Sequence, residues 1–261
     1  MTSTHREWDA GSYHAVSGPQ QEWGRRVLDR LPLVGDEVVL DAGCGTGRVT
    51  RLVAERVPRG RVVAVDGSHA MVERARHELS DLADRVSVRQ SDLLDLDLDE
   101  RVDAAISTAT FHWILDHERL FGRLAAALRP GGRLTFQCGG LGNIAGVMAA
   151  MAPVAAEEPY REHLAGFSKD WNFASAEATA RRLAGAGFTE VSTWLEPAPV
   201  RLSLGGEAEE FLLTVVLRLH AEALPAELRE PFAAASAARA AQDGVVTLDY
   251  VRLNADAVLR R

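Results

Sequence analysis

The sequence lacks the features that mark several large classes of protein. Its two cysteines, Cys44 and Cys138, are too few for a disulfide scaffold or a four-cysteine zinc site. No apolar run approaches the ~18 residues that a membrane span needs. The polar residues 1–13 are not followed by the apolar segment of a signal peptide. We therefore expect a soluble, cytoplasmic protein that does not act at a membrane.

An excess of positive charge is also lacking. The chain has 29 Lys and Arg residues against 37 Asp and Glu residues, a formal net charge of −8. This balance provides no general attraction for a phosphate backbone, so nucleic acid is not an expected partner. The sequence contains no His-x-x-x-His or Cys-x-x-Cys pair, and no metal site is predicted. No pattern predicts an oligomeric state.

What the sequence does contain is an alternation of short apolar runs with longer helical patterns. This alternation is typical of β-α-β units and of an α/β fold with a mainly parallel sheet. Ser68 is the predicted N-cap of one of the helices. The predicted strands are 38–40, 61–65, 86–88, 102–107, 134–136, 190–194 and 246–258, and the predicted helices are 49–57, 69–79, 118–128 and 176–186.

Two longer segments, 139–172 and 208–241, interrupt this alternation. As insertions between strands of one sheet, they are predicted to fold over the sheet as a helical cap. A plain pair of packing helices is the alternative for the second segment. The predicted organisation is an N-terminal arm or lid (1–35), a cofactor-binding core (36–138), a cap insertion (139–175), more core (176–204), a helical cap insertion (205–244) and a final core strand (245–261).

A glycine-rich turn follows the first predicted strand. Gly43, Gly45 and Gly47 are spaced G-x-G-x-G, and Cys44 lies between the first two. Glycines at such a turn let the backbone approach a ligand closely. Neither the dinucleotide spacing G-x-G-x-x-G nor the P-loop spacing is present. Because the acidic Asp41 precedes the turn, a ligand carrying an ammonium and a sulfonium fits better than a pyrophosphate, which indicates S-adenosylmethionine.

Two more aspartates follow the next strands of the predicted sheet. Asp66 ends the second strand, where a carboxylate in this type of fold can accept hydrogen bonds from both ribose hydroxyls. An N-cap for the following helix is the alternative, although Ser68 already provides one. Asp92, after the third strand, is the predicted partner of the adenine amino group. A solvent-facing aspartate in an acidic run is the alternative for Asp92.

Together these motifs resemble those of the class I S-adenosylmethionine-dependent methyltransferases. The resemblance is carried by residues 39–47, 66–71 and 91–92. It implies a Rossmann-like seven-stranded sheet with helices on both faces and a reversed last hairpin. The cofactor would lie at the carboxyl ends of the strands. The cofactor-binding residues that it implies are Asp41, Gly43, Cys44, Gly45, Gly47, Asp66, Gly67, Met71, Ser91, Asp92 and Leu93.

A narrower resemblance covers nearly the whole chain. Trp8-Asp9 with Tyr13, residues 111–117, residues 130–132 and residues 251–253 are similar to the trans-aconitate methyltransferase group. Members of that group esterify small carboxylic acids. Residues 112–114 read His-Trp-Ile where the group often has Gln-Trp-Leu, and residues 137–140 also differ. O- or C-methylation of a natural-product phenol or enol therefore stays open as an alternative to carboxyl methylation.

Residues of the chemical step and the acceptor site are assigned from position. A carboxylate acceptor needs no base, but a phenol, alcohol or amine usually does, and His112 is then the candidate. A histidine that binds a local backbone carbonyl is the alternative. Tyr13, Trp23 and Trp113 are candidate substrate-binding residues, with core packing as the alternative. Arg252 is the candidate partner of an acidic acceptor, and a surface ion pair is its alternative.

Two other classes of function are disfavoured. A nicotinamide oxidoreductase would need the dinucleotide glycine spacing, which is missing. A non-catalytic cofactor-binding protein would be expected to have a degraded glycine loop, whereas this loop and both strand-end aspartates are intact. We therefore expect an enzyme that transfers a methyl group from S-adenosylmethionine to a small-molecule acceptor.

Overall fold

The computed structural model describes residues 18–167 and 171–260. The helices are Gly18–Arg30 (α1), Arg48–Arg56 (α2), His69–Glu78 (α3), His117–Ala127 (α4), Ala145–Ala155 (α5), Tyr160–Leu164 (α6), Ala176–Gly185 (α7), Glu207–Phe211 (α8), Arg218–Ala223 (α9) and Ala226–Ala240 (α10). Short 3-10 turns lie at Ser80–Leu82, Leu93–Asp95 and Phe111–Trp113, and a π-helix lies at Leu212–Val216. The strands are Val38–Ala42 (β1), Arg61–Asp66 (β2), Val86–Gln90 (β3), Val102–Thr108 (β4), Leu128–Gly139 (β5), Phe188–Pro197 (β6), Val200–Ser203 (β7), Ala241–Gln242 (β8), Val245–Leu248 (β9) and Val251–Leu259 (β10).

The main sheet has seven strands in the order β3-β2-β1-β4-β5-β10-β6. The neighbours from β3 to β5 pair in parallel. The last two strands run antiparallel, since Arg260 N–H donates to Gly187 O (3.1 Å) and Thr189 Oγ1 donates to Val258 O (3.2 Å). These pairings confirm the predicted α/β fold with a mainly parallel sheet and a reversed last hairpin.

Both faces of this sheet are covered by helices. Side chains alternate between the faces along β1, so that Leu40 packs with Phe121 of α4 and Leu183 of α7. On the opposite face, Val39 belongs to a second core cluster that includes Leu28 of α1. Helices α2 and α3 contribute to this second cluster as well. The sheet is therefore buried on both sides, as its apolar runs predicted.

Helix α1 is part of this core. Its residues Val27 and Leu28 are buried, and a Cβ on Gly24 would lie 2.7 Å from the side chain of Val49, so α1 packs closely against α2. Trp23 is half-buried on this helix. Residues 18–30 of the predicted arm thus form a helix that packs in this core. Residues 1–17 of the arm, with Tyr13, lie outside the described residues.

The chain divides into two compact units. The first consists of residues 1–140, 174–195 and 253–261, and the second of residues 141–173 and 196–252. The second unit contains α5, α6 and α8–α10, and it also contains a three-stranded antiparallel sheet in the order β7-β9-β8. Both predicted insertions therefore belong to one unit, but that unit is not purely helical, and residues 196–204 fall within it as well.

The predicted single strand over 246–258 is interrupted in the structure. Val245–Leu248 pairs with β7 in the small sheet, whereas Val251–Leu259 belongs to the main sheet. Between them the chain turns tightly, since Tyr250 N–H donates to Leu248 O at 2.8 Å. The segment predicted as one final core strand, 245–261, is therefore two strands in two sheets.

Candidate cofactor site

The glycine turn lies between β1 and α2 and is held by β2. Gly43 N–H and Cys44 N–H both donate to Val65 O, at 2.7 and 3.0 Å. All three predicted glycines have positive φ angles, 85° at Gly43, 53° at Gly45 and 87° at Gly47, where residues with a side chain are strained. A Cβ on Gly45 would meet no atom within 4 Å, so this glycine borders open space.

Asp66 connects this turn to the end of β2. Its Oδ2 accepts a hydrogen bond from Gly45 N–H at 2.9 Å, and its Oδ1 accepts one from Ser68 N–H at 2.9 Å. Ser68 is the N-cap of α3, because its Oγ accepts from Met71 N–H at 3.4 Å. Asp66 does not cap α3 through its own side chain. A carboxylate offers about four acceptor positions, so it can also accept a ribose hydroxyl.

Asp41 is buried beneath the same turn. Its side chain is 1% exposed, its Oδ2 accepts from Thr50 Oγ1 at 2.6 Å, and its Oδ1 is buried with no hydrogen-bond partner. Burial, reinforced by the negative charge of Asp66, raises the pKa of Asp41 to about 7. A positively charged ligand nearby would favour the ionised form, so the orphaned oxygen fits a cationic cofactor.

Cys44 is a structural residue of the turn. It is buried, and its Sγ lies 3.7 Å from Gly45 O. Burial, together with the charges of Asp41 and Asp66, raises the pKa of the Cys44 thiol well above its usual range. The thiol is therefore protonated at neutral pH and is not activated as a nucleophile.

The remaining predicted cofactor residues lie at the ends of β2 and β3. Ser91 N–H donates to Asp66 O at 3.0 Å, which links the two strand ends. Asp92 caps the 3-10 turn after β3, since its Oδ1 accepts from Leu94 N–H at 2.9 Å. Met71 and Leu93 are buried, and Gly67 is half-buried. The structure thus places these residues at the same edge of the sheet as the glycine turn.

Three residues near the turn were missed by sequence reasoning. Thr110, just after β4, packs over Gly43. Its Oγ1 donates to Gly43 O at 3.1 Å, and a Cβ on Gly43 would lie 2.2 Å from Thr110 Oγ1. Ala109 has a left-handed φ of 55°, and Thr50 holds Asp41. The sequence gave no signal for these contacts, because Thr110 and Gly43 are 67 residues apart and the bond from Thr50 to Asp41 depends on how α2 packs against β1.

His112 lies in the 3-10 turn Phe111–Trp113 that follows β4. It is buried, and its Nδ1 accepts a hydrogen bond from Gly139 N–H at 3.2 Å. When neutral, the ring therefore has its proton on Nε2. A bond to a local backbone carbonyl was the alternative for His112. Nδ1 does not make that bond, because it accepts from an amide N–H. The half-buried Trp113 packs beside it, with ring centroids 5.0 Å apart and ring planes tilted by 38°.

The other predicted acceptor residues are Trp23, Tyr13 and Arg252. Trp23 lies on α1, and Tyr13 is outside the described residues. Arg252 lies in the second unit and is 5% exposed, so the surface ion pair considered for it does not match its burial.

Among the residues described, no group of His, Cys, Asp and Glu side chains could hold a metal ion. Within the same ranges, no helix is long and apolar enough to cross a membrane.

The protein has a seven-stranded sheet, a glycine turn after β1 and a carboxylate at the end of β2. These features define an α/β protein that binds a nucleotide cofactor. Comparison with known proteins identifies the family within this class. A family described as a methyltransferase domain matches residues 39–132. The trans-aconitate 2-methyltransferase of Methylobacterium nodulans is 30% identical over 194 residues, which cover 74% of this chain and 68% of that protein. The chain spans about half the length of other trans-aconitate 2-methyltransferases that it matches.

Two further similarities come from a different enzyme and from a solved structure. The malonyl-acyl-carrier-protein O-methyltransferase of Priestia megaterium is 32% identical over 136 residues, covering 51% of this chain and 49% of that protein. A phosphoethanolamine N-methyltransferase of Haemonchus contortus, in complex with S-adenosyl-L-methionine, has a TM-score of 0.63 at 18% identity and covers 97% of this chain and 57% of that chain. At that identity the likeness shows the fold alone.

The chain belongs to the class I S-adenosylmethionine-dependent methyltransferases and resembles the trans-aconitate 2-methyltransferases. It is an enzyme whose methyl donor is S-adenosylmethionine. The predicted family, enzyme class and cofactor are therefore confirmed.

Proposed function

We propose that this enzyme transfers a methyl group from S-adenosylmethionine to a carboxylate oxygen of a small acid. The observation that carries the proposal is its similarity to the trans-aconitate 2-methyltransferase of Methylobacterium nodulans over 68% of that protein. A carboxylate oxygen is already a nucleophile at neutral pH, so it needs no general base. The enzyme then has to align the acceptor, exclude water and bind two ligands.

The cofactor is proposed to bind across the glycine turn. S-adenosylmethionine supplies an electrophilic methyl group on a positively charged sulfur. Gly45 provides open space for the methionyl part, and the carboxylate of Asp66 accepts from the ribose hydroxyls. Asp92 binds the adenine amino group beside Met71. Asp41 stabilises the positive charge from beneath the turn without direct exposure to solvent.

His112 is proposed to act as a hydrogen-bond donor in this reaction. Because Nδ1 accepts from Gly139 N–H, the ring nitrogen with a proton to give is Nε2. A neutral histidine in that state donates to a carboxylate instead of removing a proton from the acceptor. This role agrees with an acid as the acceptor and replaces the predicted general base. Trp113, packed against the His112 ring, orients it.

Arg252 is proposed to anchor the acceptor. A desolvated carboxylate needs a fixed positive partner, and a guanidinium provides a bidentate one. The low exposure of Arg252 favours such a role over a surface ion pair. Tyr13 and Trp23 remain proposed contributors to the apolar part of the acceptor site. Aliphatic diacids and triacids are therefore the acceptor class to examine first.

The product of the reaction tests this proposal directly. The enzyme is incubated with methyl-labelled S-adenosylmethionine and a panel of small polycarboxylates, thioester-linked malonate, phenols and enols. The expected product gains one methyl group by mass and loses it as methanol in mild alkali, because methyl esters hydrolyse there. A product whose label survives alkali would indicate a methyl ether or C-methyl compound and would overturn carboxyl methylation.

The role of Arg252 has its own test once an acceptor is found. Arg252→Lys is expected to raise KM for the acid, by roughly tenfold, because lysine cannot reproduce the two-pronged contact. Cofactor affinity should stay nearly constant. Arg201→Lys, at an exposed position on β7 in the same unit, is the matched control. An unchanged KM for Arg252→Lys would remove Arg252 from the acceptor site.

A further inference from the structure

A groove lies between α4 and α7, within the first unit. It has a volume of about 500 Å³. Its lining consists of Glu118, Gly122, Ala178, Arg181, Arg182, Gly185 and Ala186. A Cβ on Gly122 or on Gly185 would meet no atom within 4 Å, so the absence of side chains at these glycines keeps the groove open. The groove shares no residue with the candidate cofactor site.

The groove is lined by a guanidinium group with one N–H that has no acceptor in the described structure. Arg182 Nη1 is buried and donates to no acceptor in the described structure. By contrast, the two arginines of α4 are satisfied, because Arg119 and Arg123 each donate to Leu94 O. A buried guanidinium N–H without an acceptor is costly, and a ligand acceptor that bonded to it would remove that cost. Glu118 also lines the groove, which therefore contains two guanidinium groups and one carboxylate.

A second unsatisfied group lies at the α4 side of this region. His117 is 2% exposed, its Nε2 bonds to Phe111 O at 2.9 Å, and its Nδ1 is buried with no partner. Burial lowers the pKa of His117, and the charge of Arg182 lowers it further. Arg182 therefore lies close enough to repel a charge on His117. Pairing Arg182 with an anion would reduce this repulsion.

The geometry points to an anion-binding site in this groove, where Arg181 and Arg182 bind a small molecule that carries carboxylate or phosphate groups. The volume lies within the range of small-molecule pockets, roughly 300–1,000 Å³. A guanidinium binds both kinds of group with two parallel hydrogen bonds. Because Arg182 Nη1 is buried in the ligand-free structure, the side chain has to turn toward the groove for such a contact to include this nitrogen. The site is separate from methyl transfer, so it does not depend on the proposed acceptor.

Binding in the groove is expected to reach the segment that contains His112. His117 Nε2 donates to Phe111 O, and Phe111 is the neighbour of His112 in the 3-10 turn. A change in the charge state or position of His117 therefore changes a hydrogen bond at this turn. The His117 ring is a natural reporter, because its resonances respond to a partner of Arg182 without any turnover.

Calorimetric titration of the full chain tests the site. Inorganic phosphate and citrate are the two probes, and sodium chloride at matched ionic strength measures unspecific screening. We expect saturable binding of at least one probe and a shift of the His117 ring resonances. Arg181→Gln/Arg182→Gln should weaken that binding roughly tenfold or more. Arg25→Gln/Arg239→Gln removes two exposed helical arginines and is the matched control that should bind normally.

A steric variant keeps the test independent of charge and of any folding defect in the double variant. Gly122→Leu places a side chain in the open groove at an exposed helical position, and it leaves both arginines in place. It should lose binding as the double variant does. The comparison of phosphate with citrate identifies the preferred group. Equal binding by wild type and both groove variants, or no heat beyond that of chloride, would overturn the proposal.

Discussion

Asp41 is a carboxylate that the fold holds in an unfavourable place. It is fully surrounded by protein, has Thr50 as one hydrogen-bond partner and leaves Oδ1 without any. Its pKa of about 7 means that the cofactor-free protein binds a proton there across much of the acidic range. Buried carboxylates with a raised pKa are common at sites that bind a charged ligand, although they lower the stability of the empty protein. The consequence is a pH dependence of stability in the absence of cofactor.

The direction of this pH dependence follows from the protonation of Asp41 in the folded and in the unfolded protein. Between the ordinary aspartate pKa of about 3.9 and the raised pKa of about 7, folded Asp41 holds a proton that the unfolded chain has released. The free energy of unfolding of the cofactor-free protein therefore falls as pH rises through this window, by roughly 2–3 kcal/mol between pH 5 and pH 8. Asp41→Asn should remove this component while its amide oxygen still accepts from Thr50. Urea unfolding at both pH values measures it.

The control for that measurement is Asp84→Asn, at an exposed aspartate. Its unfolding free energy should follow the wild type at both pH values. If Asp41→Asn showed the same pH slope as the wild type, Asp41 would not be the group that titrates.

Asp66 has both a structural and a proposed binding role. Its carboxylate holds Gly45 N–H and Ser68 N–H, so Asp66→Ala loosens the glycine turn as well as removing a ribose acceptor. We expect cofactor affinity to fall by about 1–3 kcal/mol, with the fold retained. Calorimetry with S-adenosylhomocysteine gives the affinity, and circular dichroism checks the fold. Asp84→Ala is the control, and unchanged affinity in a folded Asp66→Ala protein would reject the assignment.

The predictability of the site differs from residue to residue. The placement of Asp41, the three glycines and Asp66 could be predicted because it follows from local order along the chain, at strand ends and in one turn. Thr50 and Thr110 could not. Each acts through a hydrogen bond to a partner, Asp41 or Gly43, that only the folded chain brings near. Likewise, the bond from Gly139 N–H to His112 determines which ring nitrogen has the proton, and no sequence pattern reports it.

At the scale of elements, the glycine turn separates two requirements that its sequence motif does not distinguish. Gly43 is needed for packing, since a Cβ there would collide with the Thr110 side chain. Gly45 borders open space, so its requirement is conformational and concerns the ligand. The same substitution should therefore have different effects at the two positions.

Gly43→Ala should lower the free energy of unfolding by several kcal/mol, on the order of 3, from collision and left-handed strain together. Gly45→Ala should cost only about 1–2 kcal/mol of strain, but it should sharply weaken cofactor binding. Thermal unfolding gives the stability of each variant, and cofactor titration gives its affinity for the cofactor. Similar stability losses with normal cofactor binding in both would contradict this division of roles.

Arg30, at the end of helix α1, makes polar contacts with three strands of the main sheet. Arg30 pairs with Asp256 at 3.3 Å, donates to Asn254 Oδ1 at 3.0 Å and to Phe136 O at 3.1 Å. Its guanidinium also lies 5.0 Å from the centre of the Trp194 ring. These partners come from β5, β6 and β10, so Arg30 joins the N-terminal helix to strands far along the chain.

Arg30→Met should therefore destabilise the protein by about 1–3 kcal/mol, because partly buried partners lose a charged donor. Arg26→Met is the matched control one turn earlier on the same helix. Its ion pair with Glu22 is well exposed, so the expected loss is below about 0.5 kcal/mol. Denaturant unfolding of the two variants compares them, and equal losses would show that Arg30 does not anchor the helix.

The elements that were predicted well are those with a local signal at each end. The Ser68 cap marks the start of α3, and the apolar run of β1 ends in the glycine turn. The break in the last predicted strand had no such signal, because its β-branched and apolar residues continue across the turn at 249–250. The pairing of β9 with β7 decides where that strand divides, and pairing is a long-range property.

At the scale of the whole molecule, the chain combines a regular unit with an irregular one. The first unit is built on the seven-stranded sheet. The second contains short helices, a π-helix at Leu212–Val216, a proline inside α10 and a strand of two residues. Short elements with interrupted hydrogen bonding tend to open at lower free energy than a buried parallel sheet. The insertions were predicted to form a cap, and a cap that opens and closes as a lid belongs to this less stable class.

Hydrogen exchange of the cofactor-free protein should therefore be faster in residues 208–241 and in α5 than in β1. The addition of S-adenosylhomocysteine should slow exchange first around the glycine turn. Addition of an acceptor as well should slow it in residues 208–241, because a lid is ordered by the ligand that it covers. Strand β1 serves as the internal reference, since it is buried along its whole length. If residues 208–241 exchange as slowly as Val38–Ala42 without ligand, this segment is ordinary core, and acceptor selection has to be sought elsewhere in the chain.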